Sequence, residues 1–179
     1  MQIQTFYFNP YRECTYLIEN GQQCVVIDPG MYGEREQQRL TDYLNKKQLT
    51  PVAVLITHTH PDHICGLEYL QQQYPQIPIY GKIYQAAPAE LLGYALTVLD
   101  TPGHKEDSQC FWFPQEQTLF TGDTLFQESI GRTDLPGGDM DTLFQSLRRL
   151  AELPKETQVY PGHGYPTTIG HEIEYNPYL

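Results

Sequence analysis

The chain has 179 residues and sets 11 Lys+Arg against 22 Asp+Glu, a net charge of −11 with a pI near 4.8. That acidic surplus excludes a nucleic-acid groove and an anionic-lipid surface as partners, because both need clustered Lys and Arg. No apolar run reaches the length of a membrane span, and the opening Met1-Gln2-Ile3-Gln4 shows no basic-then-apolar leader, so the expectation is a cytoplasmic protein.

In chain order, Ile3–Phe8, Cys14–Glu19 and Cys24–Asp28 read as a strand meander, with Asn20-Gly21 as the turn joining the last two. Glu34–Lys47 places Leu40, Tyr43 and Leu44 at helical spacing on a polar stretch and predicts a surface helix. Val52–Ile56 is a continuous apolar run, the pattern of a buried strand. Pro61 opens a helix expected to run to about Tyr74, with Ile64, Leu67 and Leu70 inward. Short strands follow near Ile77–Tyr80 and Leu96–Asp100, and Gln109–Phe113 with Thr118–Thr121 reads as a hairpin. Asp141–Leu153 predicts a second helix with Leu143, Phe144, Leu147 and Leu150 on one face, and Thr157–Tyr160 a last strand. The order is that of a layered α/β chain, one domain over residues 1–179, with packed sheets and helices outside.

The four cysteines, at 14, 24, 65 and 110, contain no C-x-x-C pair and read as reduced thiols, buried at 14, 24 and 110. Cys65, two positions after a histidine of interest, either lines a site or, more simply, packs on a helix.

Five of the six histidines follow strand-like runs directly. His58, His60 and His63 lie in Thr57-His58-Thr59-His60-Pro61-Asp62-His63, His104 in Thr101-Pro102-Gly103-His104, and His163 in Pro161-Gly162-His163-Gly164. Asp123, in Thr121-Gly122-Asp123-Thr124, follows a fourth run, while His171 reads as a surface residue of the tail. Imidazole nitrogen and carboxylate oxygen are ligands of borderline divalent metals such as zinc. Two residues apart on extended chain, His58 and His60 share a side and can clamp one ion, which His104 completes; Asp62, His63 and His163 suit a second, with Asp123 bridging. A chance cluster would not put five histidines and two aspartates on separate strand-end loops.

These residues resemble a known family. T-H-x-H-x-D-H, a later P-G-H, a G-D and a final P-G-H-G, in this order, look like the metallo-β-lactamase superfamily. The resemblance implies a four-layer αββα sandwich and a two-metal site, for zinc with iron or manganese as options, held by His58, His60 and His104, by Asp62, His63 and His163, and by Asp123 between them. It also implies a supporting role behind the ligands for Asp28. Ser129-Ile130-Gly131-Arg132-Thr133-Asp134 is similar to the glyoxalase II-like (hydroxyacylglutathione hydrolase-like) branch, and persulfide dioxygenases carry a similar stretch.

Two features depart from full-length glyoxalase II. The sequence runs 16 residues past His163, so the expectation is a protein without the C-terminal helical domain that helps bind glutathione in full-length glyoxalase II, and Lys105-Glu106-Asp107-Ser108 stands where many relatives carry Thr and Pro or Gly. The implied reaction is thioester hydrolysis by a metal-bridged hydroxide that Asp62 orients, on a small S-acyl thiol such as S-lactoylglutathione. Arg132, Lys105 and Tyr165 are the candidate substrate contacts; Arg132 serves either as a cation at the mouth or as an ion-pair partner of Asp134 or Asp139. The rival readings are a mononuclear iron persulfide dioxygenase using His58, His104 and Asp123, and a non-catalytic metal-binding protein. A secreted β-lactamase and a nuclease fit the opening sequence and the charge less well.

Overall fold

The computed structural model describes residues Met1–Leu179 and divides into two compact units, Met1–Ala87 and Pro88–Leu179.

The first unit is built on one five-stranded sheet. Its strands are β1 (Gln2–Phe8), β2 (Glu13–Asn20), β3 (Gln23–Ile27), β4 (Thr50–Leu55) and β5 (Ile79–Tyr80), hydrogen-bonded in that order. The first three pair antiparallel and the last two join in parallel, so chain order and sheet order coincide. Pairing of Asn20 with Gln23 puts the tight turn on Gly21-Gln22, and Gly21 takes the left-handed backbone (φ +61°) that such turns require. Between β3 and β4 lies helix α1 (Gly33–Lys47), whose Leu40 and Leu44 are buried. Glu34 and Glu36 in its first turn and Lys46 and Lys47 in its last complement the helix dipole. The core gathers Phe8, Leu17, Val26, Leu40, Val54 and Leu70, with Tyr43 and Tyr69 packed on it.

The helix expected from Pro61 to Tyr74 is broken in two: α2 (Pro61–Ile64) and α3 (Leu67–Gln73). The break falls at Cys65-Gly66, where the Gly66 N–H turns to the carbonyl of Pro29 (2.8 Å). A Cβ at Gly66 would lie 2.8 Å from both that oxygen and the Met31 methyl, so the close approach needs glycine. Cys65, at the end of α2, is exposed and not packed inside a helix, whereas Cys14, Cys24 and Cys110 are buried.

The second unit has a five-stranded sheet in the order β14 (Thr167–Thr168), β13 (Gln158–Pro161), β10 (Thr118–Gly122), β9 (Gln109–Phe113) and β8 (Thr97–Asp100). Only β10 and β13 pair in parallel. Two small ribbons accompany it: β6 (Glu90–Leu91) with β7 (Tyr94–Ala95), and β11 (Leu125–Phe126) with β12 (Ser129–Ile130). Helix α4 (Met140–Leu150) starts on Asp139, which accepts the Thr142 N–H (2.7 Å), and buries Leu143, Leu147 and Leu150. It ends at Leu150, three residues before the expected Leu153, and the chain then turns ahead of Pro154.

The tail carries structure that the sequence reading omitted. Thr168 caps helix α5 (Ile169–Tyr175), and Glu172, fully buried on it, accepts hydrogen bonds from Thr167, the Glu128 N–H and Asn176. His171 on this helix is half-buried and pairs with Glu128 (2.9 Å), so it is no free-standing surface residue. No helix is long and apolar enough to cross a membrane.

Candidate metal centre

In the first unit the site grows from Asp28, the residue after β3. Its backbone is left-handed (φ +49°), its N–H donates to Leu55 (3.0 Å), and its side chain is buried. The carboxylate gathers three donors: the Thr57 N–H on Oδ1 (2.7 Å), and the Thr57 hydroxyl (2.5 Å) and His63 Nδ1 (2.9 Å) on Oδ2. These bonds fix two histidine tautomers. His63 donates through Nδ1 and so turns the lone pair of Nε2 away from Asp28. The single hydrogen of the Thr57 hydroxyl goes to Asp28, so the same oxygen accepts from Nδ1 of His58 (3.1 Å). His58 Nε2 then also presents a lone pair, and it points at Nδ1 of His60, 3.1 Å away.

Pro61 at the first position of α2 starts the helix that carries Asp62 and His63 beside these rings. His63 Nε2 lies 3.8 Å from Oδ2 of Asp62. Beneath them Glu13 is fully buried, and burial holds its carboxyl well above the ordinary range even though the nearby His63 pulls it down. The unit thus brings His58, His60, Asp62 and His63 together over Asp28.

In the second unit the loop after β8 supplies His104, the end of β10 supplies Asp123 and the end of β13 supplies His163. Gly103 (φ +135°) lets this loop lie against the backbone of Leu143, where a Cβ would collide. His104 Nδ1 donates to the carbonyl of Arg132 (2.7 Å), again leaving the Nε2 lone pair outward. That nitrogen faces Oδ2 of Asp123 at 3.6 Å, and His163 Nε2 faces the same oxygen at 3.7 Å. Gly131 makes room for the Asp123 carbonyl, where a Cβ would collide.

The chemistry of this donor set fits a metal. At His63 against Asp62 and at His104 against Asp123, a nitrogen lone pair faces a carboxylate oxygen, two acceptors with no hydrogen between them, and a cation resolves that opposition. Two ligand atoms on one tetrahedral zinc, each bonded at about 2.0–2.1 Å, sit roughly 3.3 Å apart. The observed 3.6–3.8 Å contacts need only a small contraction to reach it.

Residues 13–94 and 90–163 match the Metallo-beta-lactamase superfamily profile. The chain belongs to the metallo-β-lactamase superfamily. It is 35% identical to a probable metallo-hydrolase of Streptococcus pyogenes, over 93% of this chain and 85% of that one. It is 33% identical to the hydroxyacylglutathione hydrolase of Francisella tularensis subsp. novicida, over 92% of this chain and 68% of that one. Among solved structures it is similar to the BLEG-1 B3 metallo-β-lactamase, with a TM-score of 0.88, 32% identity and 99% of each chain covered. Similar too are TTHA1623 in a di-iron-bound form (0.85, 34%, 98% and 100%) and ETHE1 from Myxococcus xanthus (0.87, 32%, 99% and 84%). The α/β fold expected from the motifs is therefore the superfamily's fold, and the protein is a metal-dependent hydrolase of that superfamily.

The three expected substrate contacts fare differently. Arg132 is spread over Asp134 in a two-pronged ion pair (2.6 and 2.7 Å), fully at the surface, and the pairing pulls the Asp134 carboxyl down to about 2. Lys105 pairs with the buried Asp107 (2.9 Å). Tyr165 is 71% exposed. Sequence reading missed Thr57, whose hydroxyl sets the His58 tautomer, and Glu13, a buried acid; position immediately before the first histidine was the signal available for Thr57.

Proposed function

We propose that this superfamily member hydrolyses small S-acyl thiol conjugates, of which S-lactoylglutathione is the model substrate, in the cytoplasm. In this reading His58, His60 and His104 hold one divalent ion, Asp62, His63 and His163 hold a second, and Asp123 serves both. The observation that carries it is the orientation of three histidine rings, each fixed through Nδ1 so that Nε2 offers its lone pair. The likeness to a hydroxyacylglutathione hydrolase supports the choice of substrate.

When bound, the ions supply Lewis acidity that polarises the acyl carbonyl and brings a water within reach of ionisation near neutral pH. Half-buried Asp62 accepts a hydrogen of the attacking water on a carboxylate oxygen and so aims it. Asp28 holds His63 in place through Nδ1. The new bond is C–O and the broken one is C–S. The thiolate, whose conjugate thiol has a pKa of about 8.5, leaves without a side-chain acid and takes its proton from solvent. Arg132 and Lys105 already have acidic partners in Asp134 and Asp107, so Tyr165 becomes the first of the three candidates to test against substrate.

Metal content per chain, followed by thiol release from S-lactoylglutathione, tests the reading. Two equivalents of zinc, manganese or iron with thiol release support it. One equivalent of iron with oxygen consumption on a persulfide would replace it with the dioxygenase reading, and turnover of a β-lactam in preference to the thioester would overturn the substrate.

A further inference from the structure

Asn9 lies at the end of β1, outside every motif, yet its side chain reaches the loop that carries Asp62. Its Nδ2 donates to the carbonyl of Gly30 (3.0 Å) and to the carbonyl of Asp62 (2.9 Å). Those two oxygens meet because Gly30 has no side chain: a Cβ there would run into the Asp62 carbonyl and into Glu13 Oε2. Two carbonyls brought face to face repel unless a donor lies between them, and a carboxamide NH₂ has one hydrogen for each.

The Asp62 carbonyl also needs an outside donor for a second reason. In a continuous helix it would accept from the N–H of Gly66, four residues on. That N–H is taken by Pro29 at the break between α2 and α3, and the Cys65 thiol offers only a 3.9 Å contact in its place. Asn9 is itself held on every side. Its N–H donates to Glu36 Oε2 (2.8 Å), which also receives the Tyr32 N–H (2.8 Å), and its Oδ1 accepts from the Tyr11 N–H (3.0 Å). Its backbone is left-handed (φ +50°), a conformation in which asparagine is tolerated better than other side chains.

We infer that Asn9 is a positioning residue: its carboxamide sets the depth of the first turn of α2 and thereby the direction of the Asp62 carboxylate. The inference deepens the proposed dinuclear reading and rests on Asp62 being a ligand there. Its clasp joins three segments, the β1–β2 loop, the β3–α1 loop and α2, and does so without touching a ligand side chain.

Two variants separate the amide from the backbone. Asn9→Gly suits the left-handed conformation and removes the clasp. Asn9→Asp keeps the shape but sets an anionic oxygen against two carbonyls. In zinc titrations against a chromophoric chelator, both should bind the first equivalent as wild type does and the second at least about tenfold more weakly, the loss typical of removing a ligand's support. In metal-free protein the amide of His63 should exchange with solvent at least about tenfold faster, while thermal unfolding of Asn9→Gly stays cooperative. With S-lactoylglutathione, kcat should fall and KM hold. If Asn9→Asp does not fold, Asn9→Gly alone carries the comparison. Wild-type affinity for both equivalents together with unchanged His63 exchange in Asn9→Gly would overturn the inference. If wild type takes up only one equivalent, the dinuclear reading fails, and the exchange measurement, which needs no metal, still decides the role of Asn9.

Discussion

Asp28→Asn keeps the size of a side chain that meets three donors and removes one of its two acceptor oxygens. If the remaining oxygen keeps the Thr57 N–H, the new NH₂ faces the Thr57 hydroxyl and His63 Nδ1. Leaving both donors opposed in a buried site would cost about 1–3 kcal/mol each. Turning them round costs less. The Thr57 hydroxyl then accepts from the amide and donates to His58 Nδ1, and His63 accepts at Nδ1. Both rings thereby move their hydrogen to Nε2, the atom that would have met the metal. Each loss of a ligand's hydrogen-bond partner weakens metal binding by about 10–100-fold, so two together should cost at least about a hundredfold. Nitrogen-15 spectra of the metal-free protein read the tautomers of His58 and His63, and competition with a chelator reads the affinity. Unchanged Nδ1–H tautomers, or an affinity within threefold of wild type, would refute this chain of hydrogen bonds.

Three further outcomes are expected. His60→Ala should lower thioester hydrolysis by more than about a hundredfold, beyond what loss of a supporting partner costs, while circular dichroism stays native; near-wild-type turnover would remove His60 from the site. Gly30→Ala should cost about 1–3 kcal/mol of stability, as overpacking does, because its Cβ collides with backbone at Asp62 and with a fully buried carboxyl, and chemical denaturation checks it. Cys65 is the only exposed thiol, but burial of its sulfur pushes it up to about 11. With the folded pKa raised, the thiolate is scarce at pH 8, about one molecule in a thousand, and becomes abundant only as pH rises toward that value. Alkylation of metal-free protein by iodoacetamide should therefore quicken about tenfold per pH unit between 8 and 10; a plateau near pH 9 would contradict it.

The proposed ligands were more legible in the sequence than their supports, for a physical reason. A metal ligand must be one of a few residue types, and a strand end announces itself by an apolar run that stops, so His58, His104 and His163 stand out. The partners that fix their tautomers are legible only once the chain is folded: a threonine hydroxyl for His58 and a backbone carbonyl, that of Arg132, for His104. Asn9 reaches Asp62 across 53 residues of chain, beyond any local pattern. The same distinction holds for the elements. The long strands and α1 carry enough apolar repeats to be read. The break at Gly66 depends on Met31 and Pro29, and α5 is anchored by the buried Glu172, a residue whose type predicts exposure.

The fixed rings of His58, His63 and His104 have a kinetic meaning. Each ring's orientation is settled when its own unit folds, so under the proposed reading an arriving ion would meet nitrogen lone pairs already turned outward, with no ring left to flip. The pace of loading is then governed by how fast the ion sheds its own water. An ion that exchanges water quickly, such as zinc, should enter much faster than nickel at equal concentration, whatever their relative affinities at equilibrium.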